Sequence, residues 1–222
     1  MPRRPSPRRR RAPALDKVER RALLLRCAIG VFARRGIGAA HHAEIAREAK
    51  VSVPTVFCYF PTREALVGAV LEEVARFFTE MTETIHDQHR PAPEIILEHS
   101  RAFADTVETH PDYTRVMLEW STALRDEVWP LYLRFHEKGI ATIARTIRRW
   151  RMETGSSRDP DAEDDARVIA ATGYVIVQMK MAKMPGSRIE RFLQTLVRDT
   201  LGEVRASAQN EAHLTEFNVA VG

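Results

Sequence analysis

The chain has 222 residues, with 34 Lys or Arg, 30 Asp or Glu and a formal net charge of +4. This length allows one large domain or two modest ones, and no apolar run reaches the roughly 20 residues that span a bilayer, so we expect no membrane segment. The two cysteines, Cys27 and Cys58, are too few for a disulfide framework and indicate a reducing, cytoplasmic location.

The positive charge is concentrated at the N-terminal end. Residues 1–66 hold 15 Lys or Arg and 5 Asp or Glu, about +10, and the remainder carries about −6. Such an asymmetry is expected when one domain meets phosphate groups and the other does not. Anionic lipid is the alternative partner of a basic end, but the groove-shaped motif described below favours nucleic acid.

Residues 1–13 form an arm in which six arginines alternate with prolines. This composition cannot build a core, so we expect the arm to be disordered when free. Arginines on a flexible arm suit the minor groove of DNA, and we select Arg9, Arg10 and Arg11 as candidates. The alternative is a solubilising tail.

The first helix is predicted over about residues 15–35, with Leu15, Val18, Leu25 and Phe32 in its buried stripe. A second, short helix follows over about residues 43–49. The turn at residues 50–52 then leads into a third helix. Ser52 is its predicted N-cap, Pro54 is tolerated in its first turn, and Pro61 ends it.

The two short helices have the spacing of a helix-turn-helix. The third helix is predicted to turn Val53, Val56, Phe57 and Phe60 inward and to leave a face of short or hydrogen-bonding side chains. That face suits the major groove of DNA, and its members are Ser52, Thr55, Cys58 and Tyr59. The alternative is a helical hairpin that only packs.

A long fourth helix is predicted from Thr62, its N-cap, to about His86. It links the basic unit to the rest of the chain, so it can pass a packing change to the DNA-reading part. Thr62 and Arg63 at its start are predicted phosphate contacts, as is His42 at the start of the second helix.

The remaining helices are predicted over about residues 93–110, 111–120, 127–153, 161–183 and 186–205. The helix over 161–183 is apolar around most of its circumference, which indicates burial on more than one side. We expect it to pair with the last helix in a four-helix interface between two copies of the chain. A monomer with a large core is the alternative.

Metal and catalytic chemistry find little support. His41, His42 and Glu44 fit no metal-binding spacing, and His86 and His89, although three residues apart, are interpreted as an exposed helix end. We therefore expect no metal and no cofactor. Without a Ser/His/Asp set or a phosphate-binding Gly loop, we expect no enzyme. A redox or metal sensor using Cys58 or the His86/His89 pair, or a small helical enzyme using an aromatic pocket, remain alternatives.

Several segments resemble the TetR family of transcriptional regulators, and most closely its LuxR/HapR/SmcR branch of quorum-sensing master regulators. The segments are VFARRG (31–36), EIA (44–46), VSVPTVF (51–57), YFPTRE (59–64), EWS (119–121) and RDEVWPL (125–131). The resemblance implies an all-α homodimer that binds a partly palindromic operator. The domains would be an arm (1–13), a three-helix DNA-binding domain with the helix-turn-helix (14–66), a larger helical ligand-binding and dimerisation domain (67–206) and a tail (207–222).

The resemblance also implies a cavity for a small apolar ligand in the larger domain. The matching residues are Phe77, Phe78, Phe103, Met117, Trp120 and His136, which plain core packing would explain equally well. Cys58 stands where the branch usually has an Asn associated with base contact, so operator preference is expected to differ. Gly173 and Met117 also depart from the branch, so the ligand is expected to differ too.

Overall fold

The computed structural model describes residues 16–124, 127–155 and 161–201. These ranges contain nine α-helices and no strand, which confirms the all-α prediction. The helices are α1 (Lys17–Arg35), α2 (His42–Ala49), α3 (Val53–Tyr59), α4 (Arg63–His86), α5 (Ala92–Thr109), α6 (Pro111–Thr122), α7 (Trp129–Thr154), α8 (Ala162–Met181) and α9 (Gly186–Leu201).

Local sequence signals explain where the N-terminal helices begin. Asp16 and Glu19 form a capping box at α1, each accepting a hydrogen bond from the other's backbone N–H. Ser52 Oγ accepts from Thr55 N at 3.3 Å, and Thr62 Oγ1 accepts from Ala65 N at 3.1 Å. Both predicted N-caps are therefore confirmed, and α3 ends at Tyr59 as the following Phe60–Pro61 pair requires.

The N-terminal helices share a core with the helices that follow. Phe32 of α1, Ile45 of α2 and Val56 of α3 are fully buried in one apolar cluster, which also contains Leu71 of α4 and Trp120 of α6. The cluster therefore crosses the boundary expected at residue 66, and the proposed division into domains stays a prediction.

A second layer of α5, α7, α8 and α9 packs through Ile96, Ile143, Ile169 and Val197. The apolar stripe of α9 lies against α5 and α8 of the same chain. The last helix therefore pairs with α8 as expected, and the interface between two copies of the chain stays a prediction. Within the described ranges, no helix is both long and apolar enough to cross a membrane.

Two other expectations for single side chains are wrong. Val18 is 78% exposed rather than part of the α1 stripe, because the first turn of α1 extends beyond its packing partners. His86 is buried rather than an exposed helix end. The arm with Arg9, Arg10 and Arg11, the residue pair 125–126, the loop over 156–160 and the tail lie outside the described residues.

Candidate nucleic-acid interface and ligand cavity

The turn between α2 and α3 is fixed by one residue in the left-handed region. Lys50 has φ 54° and ψ 45°, and Val51 N donates to Ala46 O at 2.9 Å. This closes the end of α2 and allows α3 to start at Val53. The predicted helix-turn-helix is present, and its turn carries an exposed cation that the sequence analysis did not select.

The inward side of α3 is narrower than predicted. Val56 and Phe60 are fully buried, but Val53 is 37% and Phe57 44% exposed. The Phe57 ring stacks on the His42 ring, with 4.1 Å between centroids and 3° between planes. A helix of 7 residues has fewer than two full turns, so within α3 Val56 is the fully buried side chain, and Phe60 follows it at the C-cap.

The outward side of α3 partly matches the prediction. Ser52 and Cys58 are exposed, whereas Thr55 and Tyr59 are half-buried, and Tyr59 packs against the apolar cluster. The Ser52 and Thr55 hydroxyls lie 2.8 Å apart, so each already has a partner. The surface offered to a ligand is therefore short and polar, with the edge of Phe57 beside it.

Two of the predicted phosphate contacts have structural partners instead. His42 is buried, and its Nε2 lies 2.8 Å from Phe60 O, so the prediction that it faces a phosphate is wrong. Arg63 Nη2 donates to Ile37 O at 2.7 Å and to Gly38 O at 2.8 Å. These carbonyls follow α1 and have no helical partner, which explains why a guanidinium is held there.

The surface beside the helix-turn-helix carries both paired and exposed cations. Arg34 pairs with Glu48, and Arg35 with Glu44, each at 2.8 Å. Arg47 is exposed at the end of α2. Lys50 is exposed in the turn two residues before Ser52, so it leaves positive charge at the start of α3.

A contact between α6 and the loop after α1 joins the helix-turn-helix to the helices that follow it. Glu119 Oε1 accepts from Ile37 N at 2.8 Å, just after Gly36, which has φ 87°. A Cβ on Gly36 would lie 2.8 Å from the same oxygen. Glycine is therefore required both by the backbone conformation and by the close approach of the carboxylate.

A cavity of about 590 Å³ lies between α4, α5, α6, α7 and α8. Of the six side chains predicted to line it, four do: Phe78, Phe103, Met117 and His136. The other two do not, which corrects the prediction. Phe77 packs against His110 and Tyr113, and Trp120 stacks on Phe135 while its Nε1 donates to Val128 O at 3.0 Å.

The wall of the cavity is mainly apolar, with charges at its edge. Arg167 pairs with Glu137 at 2.7 Å, and Lys138 with Glu83 at 2.9 Å, all with about half of each side chain exposed. Burial lowers the pKa of His136, because the charged imidazole loses hydration there. Such a wall suits a ligand that is largely apolar.

A polar contact at the wall has no signal in the sequence. His99 of α5 lines the cavity, and its Nδ1 lies 3.0 Å from Nε2 of the buried His86. The two residues are 13 positions apart on different helices, so no spacing pattern connects them. His89, the partner considered for His86, is exposed, and the described residues contain no group of three or more metal-ligating side chains.

Residues 24–70 match the model of the family described as bacterial regulatory proteins, tetR family. The HTH-type transcriptional regulator LuxR of Vibrio harveyi is 44% identical over 119 residues, which cover 54% of this chain and 58% of that protein. The chain spans about half the length of the curated relatives it matches, from 47% to 58%.

Solved structures with the same fold cover more of the chain. The TetR family transcriptional regulator CifR, a cysteine mutant complexed with 26-base-pair operator DNA, has a TM-score of 0.70 at 19% identity, covering 85% of this chain and 98% of that one. The regulator FadR from Bacillus subtilis, complexed with stearoyl-CoA, has a TM-score of 0.65 at 16% identity, covering 82% and 99%. These proteins are regulators rather than enzymes.

Proposed function

We propose that the whole chain is a sequence-specific transcriptional regulator, since residues 24–70 belong to the tetR family of bacterial regulatory proteins. The observation that carries this proposal is the exposed short-side-chain face of α3, held on a helix-turn-helix and flanked by exposed cations. The match to LuxR of Vibrio harveyi supports a role in quorum sensing. Such a regulator works in the cytoplasm.

Reading of DNA is assigned to α3 and to the arm. Ser52, Thr55, Cys58 and Tyr59 would meet base edges in the major groove, the two half-buried side chains only at their outer atoms. Arg9, Arg10 and Arg11 would enter the adjacent minor groove. Lys50 and Thr62 would contact phosphates, and Arg63 would do so only with the part of its guanidinium that is free of Ile37 and Gly38.

A homodimer is assigned to the outer face of α8. Val168, Ala171 and Val175 recur at spacings of three and four residues and are exposed, with 52% and 40% exposure at the two valines. Met181, 61% exposed, lies on the neighbouring face at the end of the helix, and the four residues are here called the α8 stripe. An apolar stripe of this kind is unfavourable in water and is typical of a subunit contact. A two-fold dimer would present two copies of α3 to a partly palindromic operator.

Regulation by a small apolar ligand is assigned to the cavity. Met117, Leu118, Ser121 and Thr122 of α6 line it, and α6 also carries Glu119, which holds the end of α1. A ligand that binds one arrangement of α6 better than another would shift the spacing of the two DNA-reading units in proportion to that difference in affinity.

The test is selection of bound sequences from a random duplex pool by the full chain, followed by titration of the enriched duplex against salt. We expect an enriched site with two-fold symmetry, with an affinity that falls linearly in a plot of log K against log salt. Cys58→Arg should abolish enrichment of that site, because a bulky side chain replaces a short one on the reading face.

Thr84→Arg is the matched control, since Thr84 is an exposed position on α4, far along the helix from α3. It adds the same charge without touching the reading face, so selection should return the wild-type site. If the wild-type chain enriches no sequence and its binding only fades with salt, the basic end is an electrostatic tether and the proposed reading of DNA is wrong.

A further inference from the structure

A series of hydrogen-bonded polar side chains runs from the buried interior between the helices to the wall of the cavity. Thr146 Oγ1 lies 2.9 Å from His86 Nδ1, and His86 Nε2 lies 3.0 Å from His99 Nδ1. Thr146 and His86 are buried, whereas His99 keeps accessible surface where its ring lines the cavity. The series of polar side chains therefore ends at His99, whose Nε2 lies 3.5 Å from Oγ1 of Thr82, another residue that lines the cavity.

This terminal nitrogen lacks a good hydrogen-bond partner. Its contact in the described part of the chain is Thr82 Oγ1 at 3.5 Å, beyond the usual range. The Thr82 hydroxyl donates to Phe78 O at 2.8 Å, so toward His99 Nε2 it can only accept. A ligand hydroxyl placed here could give this nitrogen a shorter hydrogen bond than Thr82 does, whichever role the nitrogen takes.

Both imidazoles are held neutral. Burial lowers the pKa of His86 to about 3 and that of His99 to about 4, and the guanidinium groups of Arg145 and Arg149 further disfavour a charged His86. A neutral imidazole has one N–H and one lone pair. The two rings bond to each other, so the position of the proton on His86 sets the position of the proton on His99. His99 Nε2 is therefore a donor in one arrangement and an acceptor in the other. An alcohol fits both cases, because a hydroxyl donates and accepts.

The rest of the wall disfavours a charged ligand. The lining of the cavity includes Phe78, Phe103, Ser100 and Ile143, and the charged residues at the edge are already paired with each other. A carboxylate placed beside a neutral ring in these surroundings would lose its hydration with little compensation. A purely apolar molecule would leave His99 Nε2 with only its 3.5 Å contact to Thr82.

We propose that the cavity binds an uncharged amphiphile, a long apolar molecule with one alcohol group, whose hydroxyl bonds to His99 Nε2. The proposal rests on the ligand-binding role assigned to the cavity above, and it names the chemical class of the ligand. It does not depend on the operator or on the oligomeric state, so binding of DNA and binding of the ligand can fail separately.

The experiment compares three probes of equal chain length, 1-decanol, decanoate and decane, titrated into the full chain at pH 7.5. Tryptophan fluorescence reports binding, since Trp129 lines the cavity. We expect 1-decanol to bind about tenfold more tightly than either other probe, the value of one well-formed hydrogen bond. This comparison of the three probes uses only the wild-type chain, so it does not depend on whether a variant folds.

Two variants separate the hydrogen bond from the shape of the cavity. His99→Leu should weaken 1-decanol about tenfold and leave decane unchanged. Phe103→Leu, the matched control on the same helix, should weaken both probes alike, because it removes only apolar contact. In the wild-type chain, the histidine ¹⁵N resonances of His99 should shift with 1-decanol, while those of exposed His89 should not.

The proposal is overturned if decanoate binds most tightly, if His99→Leu weakens decane as much as 1-decanol, or if no probe binds. The sequence selection described above is run on the same preparation without probes. An enriched operator with no probe binding would leave the DNA-reading role in place and remove the ligand. Tight binding of 1-decanol with no enriched operator would leave the ligand in place and remove the DNA-reading role.

Discussion

At the scale of single residues, the contact between Gly36 and Glu119 decides how the helix-turn-helix is attached to α6. Gly36 combines a left-handed φ of 87° with a carboxylate oxygen 2.8 Å from where its Cβ would lie. The Ile37 amide donates to that oxygen. Any side chain at Gly36 must therefore strain the backbone and also displace Glu119.

Gly36→Ala is expected to lower the free energy of unfolding by about 1–3 kcal/mol, from backbone strain and the lost contact. Thermal and urea unfolding measure this. Gly68→Ala is the matched control, because Gly68 lies within α4 with no atom within 4 Å of an added Cβ. That change should be neutral or stabilise by about 0.5–1 kcal/mol. Equal effects of the two variants would contradict the interpretation of Gly36.

The buried imidazole pair makes stability depend on pH. Both His86 and His99 have pKa values in the folded chain, about 3 and about 4, that lie below the ordinary value of 6.5. As pH falls below about 6.5, the unfolded chain takes up protons that the folded chain cannot. Stability is therefore full above pH 6.5 and is lost progressively down to about pH 4 and then pH 3.

As the pH falls from 7 to 5, each imidazole is expected to lower the free energy of unfolding by about 1–2 kcal/mol. Urea unfolding at a series of pH values measures the slope. His99→Gln keeps a hydrogen-bonding side chain but removes one titrating group, so the slope should fall by about half. His89→Gln, at an exposed position, should leave it unchanged. A slope that His99→Gln does not alter would show that other groups cause it.

At the scale of elements, α4 begins with a residue that serves the end of α1. Arg63 donates to the carbonyls of Ile37 and Gly38, while Thr62 caps α4. The start of α4 therefore locks the loop that follows α1, and α6 holds the same loop through Glu119. This convergence is the physical link between the cavity wall and the helix-turn-helix.

Arg63→Ala is expected to destabilise the chain in the absence of DNA, by about 1.5–3 kcal/mol for two hydrogen bonds from a charged donor. A residue that only contacts phosphate would leave the melting temperature unchanged. Lys50→Ala is the comparison, since Lys50 is an exposed cation in the turn. It should leave the melting temperature unchanged and weaken binding of all duplexes similarly, with a smaller salt dependence. Thermal unfolding and salt titration distinguish the two roles.

At the scale of the whole molecule, the exposed α8 stripe predicts that two copies associate. Val175→Arg places a charge at the centre of the stripe, and burying that charge in an apolar contact is costly. We expect dimerisation to weaken at least about tenfold, with a matching loss of affinity for a two-fold site but not for a half-site. Sedimentation and duplex titration measure both. Thr84→Arg should change neither; a dimer unaffected by Val175→Arg would place the interface elsewhere.

The sequence by itself determined the helices, the N-caps of α3 and α4 and the helix-turn-helix. These features depend on neighbours along the chain: Ser52 and Thr62 cap the helix that follows each of them, prolines mark helix ends, and apolar side chains recur every three or four residues. The family resemblance rests on the same local segments. Four of the six cavity residues that the resemblance implies also line the cavity.

Only the tertiary structure decided which groups meet across helices. The sequence alone leaves His42 available for a phosphate. In the folded chain its Nε2 lies within hydrogen-bond distance of Phe60 O, and its ring stacks on Phe57. His86 pairs with His99 of α5 rather than with His89 of the adjoining loop. The physical reason is that spacing along one helix shows only which direction a side chain takes, whereas its partner depends on how separate helices pack. Sequence spacing carries no record of that packing.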